Sequence, residues 1–89
     1  GVKVDGGVVP ETIQTMQNLR AQLESEGAAM ADVVKTTCFL TDMDDYARFN
    51  AEYSAAFGDH RPARSCVAVK ALPAGFLVEV EAIAYKPLD

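Results

Sequence analysis

Two segments of the chain carry apolar residues at the spacing of an α-helix. The first is predicted to begin near Val9, where Pro10 suits the first turn, and to end near Gly27. The second is predicted to begin around residues 42–45, where acidic side chains can cap free N–H groups, and to end at Gly58. The stripes expected to face a core are Ile13, Met16, Leu19 and Leu23 in the first helix, and Tyr46, Phe49, Tyr53 and Phe57 in the second.

Three shorter segments are rich in β-branched and apolar residues and are typical of strands. They cover residues 32–40, 64–71 and 77–86, and a Leu-Pro-Ala-Gly turn separates the last two. Alternation along the last strand places one set of side chains beneath the helices. The other set is too mixed for a core and too apolar for plain solvent, so we expect neighbouring subunits to cover it. The two sets are Val78, Val80, Ala82 and Ala84, and Leu77, Glu79, Glu81, Ile83 and Tyr85.

Length and composition limit the class of protein. With 89 residues, 49% hydrophobic and 24% charged, the chain is predicted to form one α+β domain over residues 1–89 that gains stability by association. A net charge of −5 opposes the phosphate contacts that dominate nucleic-acid binding, so no nucleic-acid partner is expected. No apolar run approaches the roughly 20 residues of a membrane span. Cys38 and Cys66 lie in apolar segments, which favours free thiols, a reducing compartment and therefore a cytoplasmic location.

Metal and cofactor sites find no support in the sequence. One histidine, two separated cysteines and scattered acids lack the spacing of zinc or iron ligands. Gly6 and Gly7 do not belong to a phosphate-binding loop pattern. Covalent catalysis by Cys66 is also disfavoured, because nothing places His60 close enough to activate the thiol. The sequence therefore predicts no metal and no cofactor.

Three charged residues, Arg64, Glu79 and Glu81, fall inside segments that otherwise resemble buried strands. Removing an ion from water costs several kcal/mol unless a partner compensates it. These side chains are therefore expected at a subunit boundary, in a ligand pocket, or both. The planar fork of Arg64 suits a carboxylate ligand. From the residues alone, an Arg–Glu pair between subunits explains Arg64 equally well, and Glu79 has Lys35 or Lys70 as alternative partners.

These segments resemble the RidA family, also called YjgF/YER057c/UK114, of reactive-intermediate deaminases. The resemblance runs from about Gly7 to Tyr85. It implies a mixed sheet with two helices on one face, as in chorismate mutase-like folds, and a homotrimer with active sites between subunits. The matching segments are Asp32–Thr37, Pro62–Cys66, Leu72–Pro73 and Glu79–Glu81.

The same resemblance predicts that the chain is short at its N-terminus. Family members begin with a strand hairpin that contains Tyr-Ser and Ser-Gly-Gln segments, and neither matches anything in this sequence. Loss of that hairpin would leave an apolar edge beside the final strand. Residues 1–5 alternate in polarity and are interpreted either as a short substitute strand or as a tail.

The function that the resemblance implies is hydrolysis of short 2-imino acids, and of the enamines that tautomerise to them, to 2-keto acids and ammonia. No cofactor is required, and the partner is a small molecule with a carboxylate. Arg64 would hold that carboxylate, and Glu79 would act as general base or position the water. Main-chain groups around Cys66 would contact the substrate, Asn50 would border the site, and Glu81 would have a structural role.

Three alternatives stay open at this stage. One is a noncatalytic member of the same fold that binds small carboxylic metabolites, because the part of the site contributed by the missing hairpin cannot be mapped. Another is a truncated, purely structural trimer. The third, an RNA-cleaving protein, is disfavoured by the acidic charge and by the lack of a basic patch with interleaved aromatic residues.

Overall fold

The computed structural model describes residues 5–86. Every predicted helix and strand is present, and the strands are one to three residues shorter than the sequence pattern suggested. The prediction for residues 1–5, a substitute strand or a tail, falls on residues 1–4, which lie outside the described residues, and on Asp5, which lies in a bend before α1. The elements are α1 (Val8–Ser25), β1 (Val33–Leu40), α2 (Tyr46–Phe57), β2 (Ala63–Ala68) and β3 (Val78–Ala84).

Local chemistry accounts for where α2 begins and ends. The acidic segment before it forms one 3₁₀ turn, Met43–Asp45, and the side chain of Asp42 accepts a hydrogen bond from the Asp44 backbone N–H at 2.9 Å. The helix itself therefore begins at Tyr46 rather than inside the acidic run. It ends at Gly58, whose φ of 63° lies in the left-handed region that glycine adopts without strain.

The three strands form one mixed sheet in the order β2-β1-β3. Strand β1 lies in the centre, parallel to β2 and antiparallel to β3. Thr36 of β1 sits opposite Arg64 on one side and Ala82 on the other. Both helices pack on the face that carries Thr36. The side chains of Thr36, Cys38 and Leu40 are fully buried beneath them. The α+β architecture with two helices on one face of a mixed sheet is confirmed.

The core differs from the predicted stripe of α1 at one position. Met16 and Leu23 are buried and Leu19 packs against them, as predicted, but Ile13 is 41% exposed. Glu11 and Thr12 are buried in its place, at 2% and 0% exposure. The prediction for Ile13 was wrong because both buried polar groups find partners. The Thr12 hydroxyl donates to the Val8 carbonyl at 2.6 Å, and the Glu11 carboxylate accepts from backbone N–H groups at the start of β3.

The opposite face of the sheet has the mixed character that the sequence predicted. Ile83 and Tyr85 are 63% and 65% exposed, and Glu79 and Glu81 are exposed beside them. Leu77 is the exception to the predicted set, because it precedes the strand and packs against the core. The trimer in which a neighbouring subunit would cover this face stays a prediction.

Candidate active site

The guanidinium of Arg64 lies between the edge strand β2 and helix α2. Nη1 donates to Oδ1 of Asn50 and Nη2 donates to the hydroxyl of Tyr46, each at 2.5 Å. The same group sits over two aromatic rings, 4.9 Å from the centroid of Tyr53 and 5.5 Å from that of Tyr46. These contacts fix the orientation of the cation without neutralising it. An arginine held in this way is prepared to bind an anion.

A further hydrogen bond supports this arrangement from within the core. The hydroxyls of Thr36 and Tyr53 lie 2.7 Å apart, and both residues are buried. Burial raises the pKa of Tyr53, and the hydrogen bond with Thr36 opposes that shift only in part. Tyr53 therefore stays neutral, and its ring provides a rigid surface beneath Arg64.

A surface cleft of about 400 Å³ opens in front of Arg64. Its size falls within the range of small-molecule sites. Helix α2 forms one wall, and the loop between α2 and β2 forms the other. The residues that line it are Asn50, Tyr53, Ser54, Arg61, Pro62 and Arg64.

Cys66 lies two residues after Arg64 on the same face of β2 and is half-buried. Cys66 lies opposite Cys38 in the register between β2 and β1, and neither cysteine forms a disulfide. Burial raises the pKa of Cys66, and the charge of Arg64 counteracts this only in part; burial raises the pKa of Cys38 to about 11. His60 is engaged elsewhere, because its Nε2 donates to the Val33 carbonyl at 2.7 Å. An unactivated thiol does not act as a nucleophile at neutral pH.

Glu79 does not meet Arg64 within one chain. Glu79 pairs with Phe39 and is exposed on the face of the sheet away from the helices. Arg64 pairs with Thr36 at the opposite edge of the sheet and points to the helix face. Two strand spacings across the sheet and three residues along it separate the two backbones by about 14 Å. The structure therefore brings Arg64 and Asn50 into contact, with Cys66 nearby, and leaves Glu79 apart.

Glu11 is a buried polar residue whose role the sequence did not indicate. Its Oε2 accepts hydrogen bonds from the backbone N–H groups of Leu77 and Val78, at 2.6 and 2.8 Å. These bonds tie the first turn of α1 to the residues directly before Glu79. The two glutamates also border a second cleft, of about 250 Å³, between α1 and β3. An acid in the first turn of a helix is common on exposed surfaces, so no sequence pattern indicates this contact.

The roles of Tyr46 and Tyr53 were only partly predicted. Both belong to the aromatic stripe of α2, and core packing was the expected role. Tyr53 is buried as expected, but the two rings also flank the guanidinium of Arg64. Tyrosine rather than phenylalanine at two positions of the stripe is the signal that points to polar contacts along this face of the helix.

Residues 5–86 contain neither a metal-binding cluster nor a membrane-spanning helix. No three histidine, cysteine, aspartate or glutamate side chains cluster in this part of the chain to hold a metal ion. No helix in the same range is both long and apolar enough to cross a bilayer.

Comparison with known proteins places the chain in a family. Residues 1–86 match the family model described as endoribonuclease L-PSP. The 2-iminobutanoate/2-iminopropanoate deaminase of Escherichia coli is 41% identical over 87 residues, which cover 94% of this chain and 68% of that protein. RidA from an Antarctic Psychrobacter superposes with a TM-score of 0.89 at 37% identity, over 93% of this chain and 68% of that one.

A third comparison includes a bound small molecule. Escherichia coli TdcF, crystallised with bound serine, superposes with a TM-score of 0.89 at 33% identity, over 94% of this chain and 68% of that one. The chain thus spans about two thirds of the length of the relatives it matches. The sequence match over residues 1–86 and the shared fold show that the chain belongs to the RidA (YjgF/YER057c/UK114) family.

Proposed function

We propose that this chain hydrolyses short 2-imino acids to 2-keto acids and ammonia, in a site that two subunits of a homotrimer share. The observation that carries the proposal is the Arg64 guanidinium, fixed by Asn50 and Tyr46 at the wall of a small cleft. A substrate carboxylate suits this group by charge and by geometry. Binding there would place the adjacent imine carbon inside the cleft.

The chemistry needs little beyond positioning and one base. Water adds to C2 of the imino acid, giving up a proton as the imine nitrogen gains one. The resulting carbinolamine collapses to the 2-keto acid: its hydroxyl loses a proton, the nitrogen gains one, and the C–N bond breaks so that ammonia leaves. Arg64 holds the carboxylate and so orients C2, and Glu79 takes the proton from the attacking water. Because the pKa values of both thiols are raised, the proposal gives Cys66 no covalent role.

The separation of Arg64 and Glu79 supports a site between subunits. Within one chain they occupy opposite faces and opposite edges of the sheet. The face that carries Glu79 also exposes Ile83 and Tyr85, which are apolar enough to pack against a neighbour. A neighbouring chain that covers this face can place its own edge strand β2, with Arg64, beside Glu79. Association would then complete the site.

Two relatives add support at the level of substrate chemistry. The Escherichia coli protein bears the name 2-iminobutanoate/2-iminopropanoate deaminase, and TdcF was crystallised with serine, an amino acid with a free carboxylate. The family model is described by a ribonuclease activity instead. Hydrolysis of RNA fits this chain less well, because its net charge of −5 repels phosphates.

The test couples the purified protein to a threonine dehydratase, which releases 2-iminobutanoate, and follows keto acid formation. The wild-type protein should accelerate keto acid release beyond the spontaneous rate. Arg64→Ala and Glu79→Gln should each abolish most of the acceleration, whereas Arg48→Ala should retain it. Arg48 is the control because it is an exposed arginine of α2 that pairs with Asp45, away from the cleft. No acceleration by an intact wild-type assembly would contradict the proposal.

A second candidate is a noncatalytic binder of small carboxylic metabolites. It is favoured by one observation: the cleft that holds Arg64 and Asn50 forms within one chain, whereas Glu79 lies elsewhere. The two candidates differ in how they depend on the two residues. Binding of 2-oxobutanoate, measured by calorimetry, should require Arg64 in both cases. Only the enzyme also requires Glu79, in the turnover assay.

A further inference from the structure

A second arginine shares the cleft of Arg64. Arg61, in the loop between α2 and β2, lines the same cavity of about 400 Å³. Its Nη1 donates to the backbone carbonyls of Gly58 and His60, the latter at 3.0 Å. Within residues 5–86 both of its hydrogen bonds use Nη1, so Nη2 and Nε remain available as donors. The loop carbonyls therefore hold the cation in place and leave part of its fork for a ligand.

The charge of the cleft contrasts with that of the whole protein. Its lining combines the two arginines with neutral residues only: Asn50, Tyr53, Ser54 and Pro62. The chain as a whole carries 13 acidic and 8 basic residues. Tyr53 also indicates that Arg61 lies near the site. Burial raises the pKa of Tyr53, and the positive charges of Arg64 and Arg61 both oppose that rise. One monocarboxylate engages one arginine, which leaves the second cation without a counter-ion.

We propose that the cleft selects substrates with two anionic groups, and that Arg61 is the residue that determines this specificity. The substrate class is the 2-imino dicarboxylic acids of four or five carbons. Such compounds arise by two-electron oxidation of the α-amino group of an acidic amino acid. Arg64 binds the carboxylate beside the imine carbon, and Arg61 binds the distal carboxylate. This inference rests on the proposed imine hydrolysis for its reaction, but not for its binding arm.

The first experiment compares two imines made in the same way. D-amino acid oxidase acting on D-alanine supplies 2-iminopropanoate, and D-aspartate oxidase acting on D-aspartate supplies 2-iminosuccinate. Keto acid release beyond the spontaneous rate gives kcat/KM for each. Loss of a charge-assisted hydrogen bond to the distal carboxylate should cost about tenfold to a hundredfold. Arg61→Ala should therefore lower kcat/KM for 2-iminosuccinate at least about tenfold more than for 2-iminopropanoate.

Arg48→Ala is the matched control, because it removes an equal charge from an exposed position outside the cleft. It should leave the ratio of the two kcat/KM values unchanged. The wild-type preference for the dicarboxylic imine should also weaken as salt is added, because Arg61 is exposed. Equal losses for both imines in Arg61→Ala, or an equal change of the ratio in Arg48→Ala, would overturn the inference.

A binding measurement separates this inference from the proposed reaction. Calorimetry with oxaloacetate and with pyruvate should give a lower Kd for the dicarboxylate in the wild-type protein, and Arg61→Ala should remove that difference. Equal affinities in the wild type would refute the second anion site even if imines are hydrolysed. Tighter binding of oxaloacetate without any imine hydrolysis would instead refute the proposed reaction and retain the site.

Discussion

Truncation of Glu11 tests how the fold holds the start of β3. The carboxylate is 2% exposed, and its Oε2 accepts from two backbone N–H groups at 2.6 and 2.8 Å. Glu11→Ala leaves both donors without this partner, at about 1–3 kcal/mol each. The adjoining cleft between α1 and β3 admits water, which lowers the cost. We expect the free energy of unfolding to fall by about 3 kcal/mol.

The assay is urea unfolding followed by circular dichroism, at one protein concentration because the proposed association would make stability depend on concentration. With a slope of about 1–1.5 kcal/mol per molar urea for a chain of this size, the midpoint should fall by about 2–3 M. Glu11→Gln retains an acceptor oxygen and should lose only about 1 kcal/mol. Glu24→Ala, an exposed position on the same helix, should cost less than about 0.5 kcal/mol. Equal midpoints for Glu11→Ala and Glu24→Ala would refute the reasoning.

Two further predictions concern the cleft and the core. Tyr46→Phe removes the hydroxyl that accepts from Arg64 at 2.5 Å but keeps the ring. The KM for 2-iminobutanoate, measured by steady-state kinetics, should therefore rise about fivefold. An unchanged KM would show that this hydrogen bond does not position Arg64. The second prediction concerns Cys38, whose pKa is raised from 9.0 to about 11 in the folded protein. The folded state therefore favours the neutral thiol, which stabilises the fold at neutral pH. This contribution is lost as pH rises from about 9 to 11. Cys38 alone should contribute about 2–3 kcal/mol to the fall in the free energy of unfolding over that window, and Cys38→Ala should show a pH dependence weaker by that amount; identical profiles would contradict the assignment.

The sequence predicted the elements and layers of the fold because they depend on short-range pattern. Alternation placed Val78 and Val80 beneath the helices, and helical spacing identified Phe49 and Phe57 as core. Helical spacing failed at Ile13, because Glu11 and Thr12 are buried instead and specific hydrogen bonds satisfy both side chains. Such bonds depend on partners distant in the chain, 66 residues apart for Glu11 and Leu77, and no local pattern reveals them.

For the candidate site, too, the sequence identified some residues and missed others. Arg64 was identifiable because a cation in a strand needs compensation, and Asn50 followed from the resemblance; the structure joins the two. Tyr46 and Arg61 were not identified as site residues, because their places depend on how α2 and the following loop pack beside β2. The relation of Glu79 to Arg64 cannot follow from one chain when the two lie on opposite faces of its sheet.

A mixing experiment tests most directly whether the site is shared. Arg64→Ala and Glu79→Ala chains are co-expressed in equal amounts with different affinity tags, and mixed assemblies are isolated through both tags and assayed for 2-iminobutanoate hydrolysis. Each variant alone should be nearly inactive. If each site joins Arg64 of one chain to Glu79 of its neighbour, random assembly regenerates about one quarter of the sites, before any enrichment from the tags. Mixed assemblies with no more activity than either variant alone would contradict the account.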